Sequence, residues 1–359
     1  MVDMSLILFL EMEKRGSVFR PHSPPYKLRF KSVLLTNWPN IMSYTVILEP
    51  EQYSPSALAL YAKLGSVSSE RLPGERQAEE LADARVIVIR LGRVTKELLD
   101  KVPNLQVIAS PTTGLNHIDL EDVERRGIKI VSLKGRRDIT EKVYTTSEHT
   151  VALLLSLIRR IPGFNQHVLQ GGWDRQRFIG SEISGKTVGI VGCGRLGIRV
   201  AEILHAMGAR IVGTDPYQSK DKIPSWIEML SEKDLLQQSD IISLHVDLRP
   251  ENEHMFSKEQ FQAMKPGAFF VNTSRGQLVD ESALFDALRS DRLAGAAIDV
   301  MDNEDPEGEH LKQNPLVEYA QTHENLLLTP HIGGATKESM AMTEDAIALE
   351  VLAVLGHST

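Results

Sequence analysis

The stretch KTVGIVGCGRLGIRVAEIL, residues 186–204, decides the fold of this chain. A β-branched apolar run, Thr187 to Val191, leads into a Gly-x-Gly-x-x-Gly turn, and an amphipathic run from about Leu196 to Ala206 follows it. The glycines of the turn are Gly192, Gly194 and Gly197. This order of strand, turn and helix predicts a βαβ unit whose turn lets a diphosphate approach the backbone. A plain βα turn without a ligand is the alternative.

Residues around the turn indicate which dinucleotide would bind. The N–H groups at the helix start, at Arg195 and Leu196, would face the diphosphate. Asp215 ends the next predicted strand, ARIVGTD. It follows the glycine turn by about twenty residues, which is the spacing at which such folds place the residue that binds the ribose. A carboxylate there accepts hydrogen bonds from the ribose hydroxyls and repels a 2′-phosphate, which favours NAD over NADP. Cys193, inside the turn, is interpreted as a small filler rather than a reactive thiol.

Length and composition narrow the class of protein. A chain of 359 residues favours two domains, and 42% apolar with 25% charged residues is ordinary for a globular protein. The net charge of −8 and the absence of a Lys/Arg-rich block argue against nucleic acid as a partner. The sequence therefore favours a small-molecule ligand.

Other sequence features bear on location and metals. A single cysteine excludes an intrachain disulfide and favours a reducing compartment, so we expect a cytoplasmic protein. No apolar run approaches the roughly 18 residues that span a bilayer, so no membrane association is expected. The sequence contains neither CxxC nor HExxH, and no metal site is expected.

The remaining pattern predicts two regions of alternating strands and helices, which implies open parallel sheets covered on both faces. Residues 1–42 show no regular pattern and are interpreted as an N-terminal extension. In SPSALALYAKLG we expect Ser54 to cap a helix that Gly65 ends. TTSEHTVALLLSLIRRIPGFNQHV, residues 145–168, is expected to form one buried helix that connects the two regions.

Arg275 stands at the tip of a second buried strand, in MKPGAFFVNTSRGQLVD, residues 264–280. In open α/β sheets the carboxyl ends of the strands border the ligand crevice. A planar guanidinium donates two parallel hydrogen bonds, which suits a carboxylate flanked by a carbonyl. The alternative is a salt bridge at a domain boundary. Asp280 is expected only to cap the helix that follows.

Five stretches follow one another along the chain: GKTVGIVGCGRLG, SDIISLHVDL, the arginine stretch, AGAAIDV and LTPHIGG. This is the order found in the D-isomer-specific 2-hydroxyacid dehydrogenases, which the chain resembles over about residues 44–355. The resemblance implies two Rossmann-like or flavodoxin-like domains with a cleft between them. A substrate domain would comprise 43–146, completed by 331–359, and an NAD-binding domain 147–330. It also implies a homodimer.

The same resemblance assigns the catalytic roles. Arg275 would bind the carboxylate and carbonyl of the substrate. His331 would exchange the hydroxyl proton, since imidazole titrates nearest to neutral pH. Glu304 would pair with His331 and orient its ring; an ordinary acidic loop is the alternative for Glu304. The implied reaction is reversible hydride transfer between a D-2-hydroxy acid and its 2-oxo acid.

Further positions are assigned to ligands by the resemblance. The backbone N–H groups of Thr113 and Gly114, in SPTTGLNHIDL, would receive the substrate carboxylate, although a simple βα turn is the alternative. The residues expected around the nicotinamide and the cofactor cleft are His245, Thr273, Ser274, Asp299, His331 and Gly333.

The chain departs from the family pattern near these positions. Asn116 and His117 replace an acid–asparagine pair, Asp247 replaces a proline, Arg249 replaces a threonine, and the segment between Glu304 and His331 is longer than usual. These changes leave the substrate open. The alternatives are a phosphoglycerate-specific enzyme, a relative acting on phosphite or formate, and an NAD-sensing binding protein or corepressor.

Overall fold

The computed structural model describes residues 44–51, 53–69, 80–176, 179–305 and 307–356. The predicted N-terminal extension, residues 1–42, lies outside the described residues. Two sheets organise the described part of the chain, and every strand pair in both is parallel.

The smaller sheet has five strands in the order β2-β1-β3-β4-β5. This is a flavodoxin-like order, in which the order of the strands reverses beside β1. Its strands are β1 (Tyr44–Ile47), β2 (Val67–Ser68), β3 (Ala84–Val88), β4 (Val107–Ser110) and β5 (Lys129–Ser132). The helices of this part of the chain include α1 (Pro55–Tyr61), α2 (Lys96–Asp100), α3 (Leu120–Arg125) and α4 (Arg137–Thr140).

The larger sheet has seven strands in the order β12-β11-β10-β9-β6-β7-β8. Counted from β6, this is the dinucleotide-binding order 3-2-1-4-5-6 with one further strand. Its strands are β6 (Thr187–Val191), β7 (Arg210–Thr214), β8 (Glu228–Met229), β9 (Ile241–Leu244), β10 (Ala268–Asn272), β11 (Leu293–Ile298) and β12 (Leu326–Leu328). The predicted fold class, two α/β regions with open parallel sheets, is confirmed.

Five helices of the described chain lie between these strands: α7 (Arg195–Ala206), α8 (Glu232–Gln238), α9 (Lys258–Ala263), α10 (Glu281–Arg289) and α11 (Pro315–Ala320). Asp280 caps α10 as predicted, because its carboxylate accepts hydrogen bonds from the N–H groups of Ser282 and Ala283. Ser54 precedes α1, but its hydroxyl contacts Ser56 rather than the helix N–H groups, and α1 ends at Tyr61.

The prediction of one connecting helix over residues 145–168 is wrong. The segment forms two helices, α5 (Thr145–Ile158) and α6 (Ile161–Leu169), separated where Arg160 adopts a left-handed backbone with φ 55°. Pro162 in the first turn of α6 fits a new helix start, since proline lacks only an N–H group that is unpaired there. α5 packs on the larger sheet and is largely buried, whereas α6 buries none of its residues.

The last helix, α12 (Lys337–Val354), returns to the smaller sheet. Its apolar side chains join the core formed by α1, β3, β4 and β5. The buried members from α12 are Ile347, Ala348, Val351 and Leu352. The smaller sheet is thus completed by residues at the far end of the described chain.

Within the described ranges, no helix has the length and apolar character that crossing a membrane requires.

Candidate active site

The glycine turn lies between β6 and α7, at the carboxyl edge of the larger sheet. Gly192 has φ +93°, and a side chain there would clash with the carbonyl oxygen of His245, so only glycine fits. Gly194 caps the N-terminus of α7, and a Cβ built on it meets no atom within 4 Å. This open side above a helix N-terminus fits a bound diphosphate.

Asp215 follows β7 beside this turn. Its carboxylate accepts hydrogen bonds from the N–H groups of Cys193 at 2.9 Å, Tyr217 at 2.9 Å and Gln218 at 3.0 Å. Asp215 also lines a cavity of about 420 Å³ together with Thr214, Pro216, Gln218, Ile223, Met229 and Leu230. A carboxylate fixed at the rim of such a cavity fits the ribose of a dinucleotide.

The side chains of Cys193 and Arg195 are turned into the protein. Burial raises the pKa of the Cys193 thiol to about 12, with the Asp215 charge acting in the same direction, so the thiol stays protonated at neutral pH. The Arg195 guanidinium donates to the carbonyl of Val143 at 3.0 Å, and its burial lowers the pKa of that side chain. The predicted role of Arg195 and Leu196 therefore rests on their backbone position at the start of α7.

Arg275 extends from the turn that follows β10. The Asn272 amide fixes this turn, because it accepts from the Ser274 N–H at 3.0 Å and donates to the Arg275 carbonyl at 2.9 Å. One guanidinium nitrogen, Nη1, donates to the Ser274 carbonyl at 2.6 Å. Burial lowers the pKa of Arg275, and the charges of Glu304 and Asp247 oppose that shift. The guanidinium is thus a partly desolvated cation near two carboxylates.

The loop after β4 brings Gly114 against this guanidinium. A Cβ built on Gly114 would overlap Nη2 of Arg275, so the two residues touch across the gap between the sheets. The Thr112 hydroxyl donates to the Gly114 carbonyl at 2.8 Å and fixes the loop. Among the described residues, neither the Thr113 nor the Gly114 N–H group donates a hydrogen bond. Both donors therefore remain available beside Arg275.

His331 and Glu304 form the closest pair of titratable groups in the site. Nδ1 of His331 lies 2.6 Å from Oε2 of Glu304, and the Met301 N–H donates to the other carboxylate oxygen at 2.9 Å. Burial by itself would raise the pKa of Glu304. The hydrogen bond and charge of His331, the Met301 N–H and the charge of Arg275 outweigh burial, so the pKa lies below its ordinary value.

The loop that carries His331 is anchored on Asp299, which follows β11 and is 1% exposed. Its carboxylate accepts from the N–H groups of Ile332 at 3.0 Å and Gly333 at 2.7 Å, and from the Thr329 hydroxyl at 2.6 Å. The Asp299 carbonyl also accepts from the His331 N–H at 2.7 Å. In this structure the carboxylate of Asp299 therefore orients the histidine loop.

The other predicted cofactor residues surround this edge. The Thr273 hydroxyl lies 2.7 Å from that of Thr150 on α5, and the Ser274 hydroxyl donates to the Leu244 carbonyl at 2.8 Å. Nε2 of His245 lies 2.9 Å from the Ser243 hydroxyl, and burial lowers the pKa of His245 to about 4. All three follow β9 or β10, next to the glycine turn.

Sequence reasoning did not assign a role to two histidines that border the site. His149 on α5 lies 3.2 Å from both Asp299 and Thr329. His117, on the loop after β4, lies 3.4 Å from the Ser110 hydroxyl. Burial lowers the pKa of His117 to about 4, where Glu49 opposes the shift and Arg275 and His331 add to it. The only signal in the sequence was that His117 stands where the family pattern has an asparagine.

The arrangement supports proton exchange beside a bound carboxylate. A guanidinium, the available N–H groups of the Gly114 loop and a histidine–glutamate pair lie at one gap between the two sheets, and the glycine turn lies on the same edge of the larger sheet. A group fixed by Arg275 and the Gly114 loop would lie next to an imidazole that its carboxylate partner orients. Such an arrangement can carry out polar chemistry on a small acid.

Comparison with known proteins shows which family the chain is similar to. Residues 151–333 match the sequence model described as D-isomer specific 2-hydroxyacid dehydrogenase, NAD binding domain. A D-3-phosphoglycerate dehydrogenase of Methanocaldococcus jannaschii is 34% identical over 313 residues, which are 86% of this chain and 57% of that protein. The chain therefore spans a little over half the length of this relative.

Solved structures cover the chain more evenly. The TT0316 protein of Thermus thermophilus has a TM-score of 0.73 and 32% identity, over 88% of this chain and 98% of that one. A D-lactate dehydrogenase of Aquifex aeolicus, complexed with NAD and lactic acid, has a TM-score of 0.73 and 27% identity over 88% and 96%. Because the family model matches about half of the chain, the chain belongs to the D-isomer specific 2-hydroxyacid dehydrogenase family.

Proposed function

We propose that the protein is an NAD-dependent oxidoreductase that interconverts a D-2-hydroxy acid and its 2-oxo acid. The observation that carries the proposal is the 2.6 Å contact between His331 and Glu304 at the gap where Arg275 meets Gly114. Each of these groups matches one requirement of the reaction: an acid–base group, its orienting carboxylate, and a cation for the substrate carboxylate.

In this proposal the residues divide the work as follows. Arg275 and the N–H groups of Thr113 and Gly114 bind the substrate carboxylate and polarise the carbonyl at C2. His331 donates a proton to the C2 oxygen during reduction and removes it during oxidation. Glu304 accepts the hydrogen bond from Nδ1, which leaves Nε2 to exchange that proton.

The residues of the larger sheet would hold the cofactor. When bound, NAD would supply the hydride chemistry of the reaction, as the acceptor in oxidation and, as NADH, as the donor in reduction. Gly192, Gly194, Gly197 and the start of α7 would hold the diphosphate, and Asp215 the ribose. His245, Thr273 and Ser274 would line the cleft near the nicotinamide, next to the loop of Gly333. Asp299 supports that end by orienting the histidine loop.

We also propose the domain division that the resemblance implies. Residues 43–146 with 331–359 would form the substrate domain, which fits the packing of α12 on the smaller sheet. Residues 147–330 would form the NAD-binding domain. Closure of the two domains would exclude water from the site.

A homodimer is proposed from the surface around α6. This helix buries none of its residues, and Leu169 and Trp173 are 73% and 89% exposed. Large apolar side chains exposed near one another in sequence would form an interface if they share one surface. A second copy of the chain is the proposed partner, and a reducing cytoplasm the proposed location of the enzyme. Light scattering should show a dimer that Trp173→Asp converts to monomer, whereas Met207→Asp, at an isolated exposed methionine, should not.

The decisive experiment is an NADH-oxidation assay against pyruvate, glyoxylate, hydroxypyruvate and phosphohydroxypyruvate, repeated with NADPH. We expect turnover of at least one acid and a preference for NADH because of Asp215. His331→Ala should lower kcat by roughly 10²–10⁴-fold, the usual contribution of a general acid–base group, while NADH affinity stays unchanged. His323→Ala, at an exposed histidine, is the matched control.

Two results would contradict the proposal. A His331→Ala enzyme with the wild-type rate would remove the acid–base assignment. Tight NADH binding without turnover of any 2-oxo acid would instead favour a binding protein or corepressor on the same scaffold.

A further inference from the structure

The loop after β3 forms a backbone anion receptor that is filled by a side chain of the protein. The carboxylate of Glu49, which follows β1, accepts from the N–H groups of Arg90, Leu91 and Gly92. The donor–acceptor distances are 3.0 and 3.2 Å for Leu91 and 2.8 Å for Gly92. Consecutive N–H groups that converge in this way bind anions such as carboxylates and phosphates.

This filled receptor is joined directly to the proposed substrate pocket. The Val94 N–H donates to the carbonyl of His117 at 2.8 Å, and Val94 pairs with Ile118 in a parallel bridge. His117 lies on the same loop as Gly114, which touches Arg275. The Glu49 charge acts on His117, as do the charges of Arg275 and His331. The charges of Glu49 and of Arg275 therefore both reach His117.

The arginine of this loop does not offset the negative charge in the pocket. The Arg90 guanidinium donates to the carbonyls of Glu49 at 2.7 Å and Glu51 at 3.0 Å. It also lies 3.6 Å from the buried Glu344 carboxylate and over the Tyr53 ring. Its charge is thus directed into the interior of the smaller-sheet region.

Among the groups whose charges act on His117, Arg275 carries the fixed positive charge and Glu49 the negative one. His117 is neutral at physiological pH because burial lowers its pKa to about 4. Asp247 adds a second carboxylate close enough to Arg275 to affect its pKa. A phosphorylated substrate would bring a further charge of about −1.5 to −2 close to the carboxylates of Glu49 and Asp247.

We propose that the pocket selects 2-oxo and 2-hydroxy acids whose distal substituent is uncharged and polar, and that Glu49 excludes phosphorylated ones. Glu49 occupies the N–H groups that a phosphate would otherwise use, and it repels the phosphate charge. His117 offers a neutral donor or acceptor suited to a hydroxyl group. The inference rests on the proposed function and separates this chain from its phosphoglycerate relatives.

The test compares hydroxypyruvate with phosphohydroxypyruvate, using the full-length enzyme with NADH. The wild-type kcat/KM should favour hydroxypyruvate by at least about tenfold, the size expected for like charges within about 10 Å at an effective dielectric constant near 20. Glu49→Gln, which keeps the size of the side chain, should reduce this preference about tenfold. Glu121→Gln removes an exposed charge from α3 and should leave the ratio unchanged.

The wild-type ratio decides the proposal even if Glu49→Gln fails to fold. A wild-type preference for phosphohydroxypyruvate overturns it, and loss of that preference in Arg93→Ala would identify the exposed Arg93 as the phosphate ligand. If no acid is turned over, the proposed function fails, and calorimetry on the enzyme–NAD complex then decides the charge selectivity. Tighter binding of D-glycerate than of 3-phosphoglycerate supports the role of Glu49, and the reverse overturns it.

Discussion

At the scale of single residues, the contact between Gly114 and Arg275 leaves no room for a side chain. Gly114→Ala would place a methyl group onto Nη2 and displace the guanidinium. We expect kcat/KM for the 2-oxo acid to fall roughly 10- to 100-fold, since small misplacements of a binding group have effects of this size. NADH affinity, measured by fluorescence titration, should not change. Gly334→Ala is the control, because its Cβ meets no atom within 4 Å.

Glu304 is the second position that tests the site at this scale. Its carboxylate lies 2.6 Å from Nδ1 of His331 and fixes the orientation of the ring. In Glu304→Gln we expect kcat to fall roughly 10- to 100-fold, because small misplacements of a reacting group have effects of this size, while NADH affinity stays unchanged. Glu309→Gln, at an exposed glutamate, should keep the wild-type kcat. A wild-type kcat in Glu304→Gln would show that the carboxylate only shapes its loop.

At the scale of elements, the end of α10 contains a residue that is not optimal for its backbone. Asp291 has φ 55°, its N–H donates to the Leu288 carbonyl, and the Arg292 N–H donates to that of Ala287. This is a Schellman ending, in which glycine is the preferred left-handed residue. Asp291→Gly should raise the free energy of unfolding by about 1 kcal/mol, the cost of a left-handed non-glycine residue. Denaturant titration measures this change in the free energy of unfolding. Asp291→Ala should not raise the free energy of unfolding.

Sequence patterns located most elements because their signals are local. The run Thr187–Val191, the glycines after it and Asp280 as a cap are each read from a few adjacent residues, and the structure agrees. The break between α5 and α6 was missed because the apolar pattern continues across Arg160. Arg160 has a left-handed backbone, and its guanidinium lies 3.6 Å from the Glu324 carboxylate. A contact so distant in sequence is not visible in a local pattern.

The residues of the candidate site were likewise indicated by the sequence where their signals are local. The order of motifs indicated Arg275, Glu304 and His331, and the structure places them at one gap. Asp299 was expected at the nicotinamide, yet its carboxylate binds the histidine loop through partners about thirty positions away. The pairing of Thr150 with Thr273 joins residues 123 positions apart. Such contacts depend on the packing of α5 against the larger sheet, which no local pattern specifies.

At the scale of the whole molecule, buried neutral histidines should make the fold sensitive to acid. The pKa of His245 is about 4 in the folded protein against an ordinary value of 6.5, and that of His117 is shifted similarly. The unfolded chain therefore binds a proton first as pH falls, and stability declines between about pH 6.5 and 4. Each histidine should contribute roughly 1–3 kcal/mol to this loss.

Urea unfolding of the ligand-free protein at several pH values measures this decline. His245→Gln should flatten the dependence in that window, whereas His323→Gln, at an exposed histidine, should reproduce the wild-type slope. The lowered pKa of Glu304 adds a further loss in the same direction at more acidic pH, because its folded form resists protonation. A His245→Gln slope equal to wild type would indicate that His245 titrates normally.

The return of α12 to the smaller sheet has a consequence for biosynthesis. A ribosome releases the strands of the larger sheet before it has made the helix that supplies Ile347, Ala348, Val351 and Leu352 to the first region. The first region of the nascent chain therefore cannot complete its core, and one apolar face stays uncovered while the middle of the chain folds. A stalled chain ending at residue 336 should be cleaved by protease within residues 44–140 and resist cleavage in the region of the larger sheet.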